Sequence, residues 1–254
     1  MYKFILTLLM SCTTYIIVAQ ENLNKEFDNA IELLKTKQHK KASEAFTIIL
    51  GKVTNNNEQK YCYIYRGIAY RDMQEYAKAI KDFDKAIELD PNDMASYIDR
   101  GETKTIINDL DGAIKDFEYI TFTKSSDEYK ITAYSYLSSI AFETNDFEQA
   151  LAYLDKLIAL TPNDEEAYFD RGAAKGMLMN WEGAIADYSK AIEINATFME
   201  AFANRGVAKI NQLNSKNKPS NTKEHTLDAC NDLKTAKKMG DKSVNDMIKL
   251  YCGK

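Results

Sequence analysis

Proline and glycine are scarce here, with three prolines and ten glycines in 254 residues, so the backbone is rarely asked to leave helical geometry. Ala, Leu, Lys, Glu and Asp are plentiful instead, and the composition favours helices over sheets. The residues of catalysis are also few. There are two histidines, His39 and His225, and four cysteines. The chain has no His-Glu-x-x-His, no phosphate loop, no Gly-x-Gly-x-x-Gly, no nucleophile elbow and no Cys-x-x-Cys. No paired carboxylates stand out from the acidic residues that ordinarily form solvated helix faces. No catalytic residue, cofactor or metal is expected. An excess of positive charge is missing too: 33 Lys and Arg stand against 38 Asp and Glu, a formal net charge of −5. Such a chain offers no attractive field to phosphate backbones or anionic lipid, so nucleic acid is not an expected partner. What is present, 45% hydrophobic and 28% charged residues, is the composition of a folded soluble protein.

A long apolar run is lacking as well. Lys3 precedes apolar residues 4–10 and 15–18, and Ala19 offers a small residue before Gln20. Ser11, Cys12, Thr13 and Thr14 interrupt the stretch, which falls short of the roughly 20 apolar residues of a membrane span. Residues 1–19 are read as a secretory signal peptide, leaving 20–254 as a single domain in the periplasm or outside the cell, with no membrane span after cleavage. The alternative is a lipoprotein box, Leu9-Met10-Ser11-Cys12, which would anchor the chain at Cys12.

The strongest signal is an internal period. Arg-Gly recurs at Arg66-Gly67, Arg100-Gly101, Arg171-Gly172 and Arg205-Gly206, with glycine spacings of 34, 71 and 34. An aromatic recurs at Tyr63, Tyr97, Tyr134, Tyr168 and Phe202, spaced 34, 37, 34 and 34. An alanine recurs at Ala79, Ala113, Ala150 and Ala184, spaced 34, 37 and 34. The aromatic and alanine series show the same three-residue insertion, within 121–129, and the glycine spacing of 71 is two periods of 34 plus three. Within one period, Tyr63, Gly67 and Tyr70 share one helix face, and Ala79, Phe83 and Ala86 share another. Gly67 and Ala79 are expected to let the two helix backbones approach closely.

A 34-residue helix-turn-helix carrying aromatic, Gly, aromatic, then Ala, Phe, Ala and Pro resembles the tetratricopeptide repeat. The resemblance implies an all-α, right-handed α-solenoid of about six hairpins, near 23–56, 60–93, 94–127, 131–164, 165–198 and 199–238, with a capping helix at 241–252. The first copy lacks the aromatics of the first helix, and the fourth has Ser138 in place of Gly. An 11-residue insertion, roughly 214–223, interrupts the sixth.

Charges follow the same period. Asp82, Asp116 and Asp187 stand 16 residues after Arg66, Arg100 and Arg171, and Asp232 stands 27 after Arg205, which is 16 plus the insertion. Where the fourth copy has Leu137 for Arg it has Tyr153 for Asp, and the first copy has Asn29 and Ala45. The two charges come and go together, so they are read as ion pairs joining the two helices of one hairpin rather than as a ladder for an anionic ligand.

The resemblance also implies that the first helix of each hairpin lines a concave wall. The wall is expected to run through Tyr61, Ile64, Ile68 and Arg71, then Ile98 and Glu102, then Phe142, then Phe169, exposed in the free protein. Related domains that grip chaperone C-termini use Lys and Asn there, so the Ile64, Ile68, Ile98 and Glu102 of this chain do not imply that activity. The function expected is non-catalytic: a scaffold binding a peptide or partner helix of another protein by apolar contacts. The alternative is a small-molecule or glycan site with Tyr61, Phe142 and Phe169 as stacking surfaces. Cys230 and Cys252 lie 10 residues before and 12 after Gly240, level on two antiparallel helices. They either form a disulfide, which an exported chain permits, or pack as two reduced cysteines. Cys62 is expected to be a buried small residue.

Overall fold

In a computed structural model of the protein, residues 21–215 and 223–253 are described, without the side chains of 223–225. The signal peptide, the Cys12 anchor, the body of the insertion and the His225 side chain lie outside these residues. The described residues are helical throughout and contain no strand. Among them, no helix is long and apolar enough to cross a membrane.

The fold is an α-solenoid of stacked hairpins, and it divides into two compact units, one running to Thr123 and one starting at Lys124. The division falls inside the stretch where the period lengthens. The first unit holds α1 (21–35), α2 (His39–Leu50), α3 (Asn56–Asp72), α4 (Tyr76–Leu89), α5 (Met94–Ile106) and α6 (Leu110–Phe122). The second holds α7 (Asp127–Glu143), α8 (Phe147–Leu160), α9 (Glu165–Met177), α10 (Trp181–Ile194), α11 (Met199–Ser215), α12 (Lys223–Met239) and α13 (Asn245–Tyr251).

Short polar side chains start the helices. Asp93 and Asp164 accept backbone N–H groups at the starts of α5 and α9, and Asp109, Asp146 and Asn180 do so at α6, α8 and α10. Each of the first five hairpins turns through one left-handed residue, at Lys37, Gln74, Asn108, Asn145 and Met179, with φ between 58° and 62°. Only the two asparagines suit that conformation chemically.

One position in the second helix of every hairpin carries a large core side chain. Phe46, Phe83, Phe117, Leu154 and Leu233 are fully buried, and Tyr188 is 4% exposed. Each contributes on the order of 2 kcal/mol by leaving water. These side chains also explain the glycines. A methyl group on Gly67 would come within 2.7 Å of the Phe83 ring, and one on Gly101 or Gly172 within 2.8 Å of Phe117 or Tyr188. What lies against these three glycines is therefore a ring from the second helix. The first copy does have its aromatic: Phe27 packs edge-on against Phe46 and Tyr65, with centroids 5.6 and 5.7 Å away. Two helices also begin a turn early, α3 at Asn56 and α7 at Asp127, because Asn55 caps the former and Asp127 and Glu128 suit the positive end of the latter.

Candidate partner-binding surfaces

The four arginines are consumed inside the chain. Arg66 Nε and Nη2 donate to Asp82 at 2.7 and 2.8 Å, and Arg100 makes the same fork to Asp116 at 3.0 and 2.5 Å. Arg171 holds Asp187 at 2.9 and 2.8 Å, and Arg205 holds Asp232 at 2.9 and 2.6 Å. The aspartates are buried, and two-pronged pairing is what compensates a carboxylate taken out of water. Leu137, which replaces Arg in the fourth copy, is fully buried.

Two further partners escaped the sequence reading. The spare Nη1 reaches back to the preceding hairpin, to Thr47 from Arg66, Asp84 from Arg100, Asp155 from Arg171 and Ser189 from Arg205. A lysine one turn after the arginine also meets the same aspartate: Lys104 on Asp116, Lys175 on Asp187 and Lys209 on Asp232. Each guanidinium lies over the ring three residues before it, at 5.4–5.5 Å from Tyr63, Tyr97, Tyr168 or Phe202.

On the first unit's wall, Tyr61 is 41% exposed, Ile68 and Ile98 are half-buried, and Ile64 is only 7% exposed. Ile64 is thus a core residue, since its position on α3 rolls into the packing between hairpins. Arg71 and Glu102 are joined to each other: Arg71 Nη1 donates to Asp99 at 2.8 Å and to Glu102 at 3.0 Å. Burial pushes the Asp99 carboxyl up to about 6 against the pull of Arg71. Beside Tyr61 lies a cavity of about 340 Å³ walled by Leu23, Phe27, Val53 and Cys62. Burial pushes the Cys62 thiol up to about 11, which leaves it unreactive at neutral pH.

In the second unit, Phe142 meets Phe147 edge-on at 5.8 Å, whereas Phe169 packs between Tyr188 and Phe198 at 5.6 and 4.9 Å. A cavity of about 510 Å³ opens among Phe142, Phe147, Ala173, Trp181, Tyr188 and Asn204. Phe142 lines it and Phe169 backs one of its walls.

At the end of this unit, Cys230 and Cys252 are joined by a disulfide, with Cα atoms 5.6 Å apart. It holds α13, whose Met247, Ile248 and Tyr251 cover Leu233, Ala236 and Ile210. This helix starts at Asn245 rather than near 241, because Gly240 takes φ +116° and Asp241 accepts from Ser243 N–H, which prolongs the turn.

Models of the tetratricopeptide repeat match residues 61–93 and 137–197, so these two stretches are similar to tetratricopeptide repeats. Among solved structures, the C-terminal part of a tetratricopeptide-repeat protein from Cytophaga hutchinsonii aligns over 89% of this chain and 84% of its own, with TM-score 0.71 at 18% identity. YrrB, described as a tetratricopeptide-repeat protein with an unusual peptide-binding site, aligns over 83% and 98%, with TM-score 0.60 at 21% identity. These likenesses show the fold. A repeat-containing protein of Methanocaldococcus jannaschii is 35% identical over 107 residues, 41% of this chain and 18% of its own length. RNA polymerase II-associated protein 3 of Xenopus laevis is 28% identical over 159 residues, 56% of this chain and 23% of its own. The chain thus matches less than a quarter of either relative.

Proposed function

We propose that the chain is a non-catalytic scaffold, exported from the cell that makes it, which binds an extended peptide or helix of another protein along the first helices of its hairpins. The observation that carries this reading is the internal pairing of the charges. With Arg66, Arg100, Arg171, Arg205 and Arg71 all held by the chain's own carboxylates, the first helices present half-buried apolar side chains, Ile68 and Ile98 in one unit and Phe142 in the other. Apolar contacts with a polar rim are how such surfaces hold peptides. The Cys230–Cys252 disulfide supports export, since such bridges persist outside the reducing cytosol.

Crosslinking in the producing cell, followed by mass spectrometry of captured proteins, tests the reading. The native chain is expected to trap a defined partner, and changing Ile68 and Ile98 together to Asn is expected to reduce that capture at least tenfold while helicity and melting stay near native. Equal capture by the variant, or no partner for the native chain, would overturn it.

A further inference from the structure

The first unit carries a template for the second. Seventy-one residues separate equivalent positions, so Asp99 corresponds to Asp170, Arg71 to Phe142, Glu102 to Ala173 and Thr105 to Gly176. In the first unit Arg71 fills the space between α3 and α5 and neutralises Asp99 at 2.8 Å. The second unit keeps the aspartate and loses the arginine. Where Arg71, Glu102 and Thr105 would stand it has a ring, a methyl group and a glycine, and there the cavity of about 510 Å³ opens.

Asp170 stands next to the lining rather than in it, one turn before Ala173 and two before Met177 on the same face of α9. It is half-buried and no cation pairs with it among the described residues; burial, Glu166 and Asp164 push its carboxyl up to about 6. Its charge also reaches Tyr188, on the cavity wall. The neighbouring cations are all engaged elsewhere: Arg171 and Lys175 on Asp187, Arg205 and Lys209 on Asp232. Glu166 adds exposed negative charge beside Asp170, and Glu200 does so beside Glu166. Around it, Phe142 and Trp181 offer ring faces of the kind that hold a guanidinium or ammonium, and Asn145, Asn204 and Asn211 offer amides that match a peptide backbone.

We propose that this cavity takes the basic side chain of an arginine or lysine presented by a partner protein, with Asp170 as its counter-ion, so that the partner supplies the cation that Arg71 supplies internally in the first unit. The inference rests on the peptide-binding reading above and names the residue that this site selects.

Trp181 is the chain's one tryptophan and lines the cavity, so its fluorescence reports occupancy in the full-length protein. The probes are acetyl-Gly-X-Gly-amides with X arginine, lysine, norleucine or glutamate, together with free agmatine. The basic tripeptides are expected to give a saturable change at least tenfold below the norleucine concentration needed, with no response to glutamate. Asp170→Asn is expected to bring basic and norleucine peptides within about twofold of each other by weakening only the basic ones, and Phe142→Arg, which restores an internal cation, to abolish the response. Equal binding of norleucine and arginine, an unchanged preference in Asp170→Asn, or no saturable response would overturn the proposal. Agmatine binding as tightly as the arginine tripeptide would assign the cavity to a free amine and overturn it too. Any of these results leaves the crosslinking experiment standing, because that experiment reads capture through Ile68 and Ile98 in the other unit.

Discussion

In three of the four clusters the aspartate, Asp116, Asp187 or Asp232, is the hub, and its arginine is only one of two cations that meet it. Asp116, 3% exposed, is held by both prongs of Arg100 and by Lys104. Removing it leaves Lys104 without a carboxylate and Arg100 with Asp84 alone, whereas removing Arg100 leaves the buried Asp116 still paired with Lys104. The two truncations should therefore be unequal. Asp116→Ala is expected to cost about 3–5 kcal/mol and Arg100→Ala appreciably less, with the double variant costing less than the sum of the two. Urea unfolding of the four proteins measures this; equal single costs that add strictly would mean that the three side chains do not form one cluster. Sixteen-residue spacing made the Arg–Asp fork legible, because a hairpin of fixed length leaves that separation little freedom. The backward bond to the preceding hairpin was not legible, since its acceptors are Thr47, Asp84, Asp155 and Ser189, four positions without a common chemistry. Nor was Asp99 or Asp170 singled out, because an aspartate on a helix is ordinarily a solvated one and only the packed structure shows what surrounds it.

Helix boundaries follow caps rather than periodicity. The aromatic series starts the second hairpin near residue 60, yet α3 begins at Asn56, because periodicity registers only those turns that face the core and the first turn of α3 is largely exposed. The same distinction governs Ile64: the resemblance places it on the concave wall of α3, but it is 7% exposed, because the stacking of α3 against its neighbours decides which flank of that wall is covered. The cap helix α13 is the extreme case, seven residues long with none of them buried. So short a helix does not hold its own fold in water. Its attachment rests on the contacts of Met247, Ile248 and Tyr251 and on the Cys230–Cys252 bridge, which closes a loop of sequence separation 22. A loop of that size corresponds to about 3 kcal/mol of restricted unfolded-chain entropy. Replacing both cysteines by serine is expected to lower stability by about that amount, with amide protection lost first in α12 and α13. Unchanged unfolding in the double variant would show that the apolar contacts alone seat the cap.

At the level of the whole chain, the molecule divides at Thr123 into two compact units, and within each unit the strong contacts join helices that follow one another along the sequence, from α2 to α6 and from α7 to α12. Stability in such a chain is close to a sum of hairpin and nearest-neighbour terms, so damage should stay near where it is done. Phe46 is a sharp place to test this. It is fully buried in the cluster that includes Ala42, Ile49 and Cys62, and it packs against Phe27 and Tyr65 from helices on either side. Phe46→Ala removes that ring and is expected to cost about 3–5 kcal/mol locally. Hydrogen exchange is expected to show protection in α1, α2 and α3 falling by at least a hundredfold, while α8 to α12, in the other unit, keep native protection. A uniform loss across the chain would instead show that the fold opens as one cooperative body, and the additive description of its hairpins would fail.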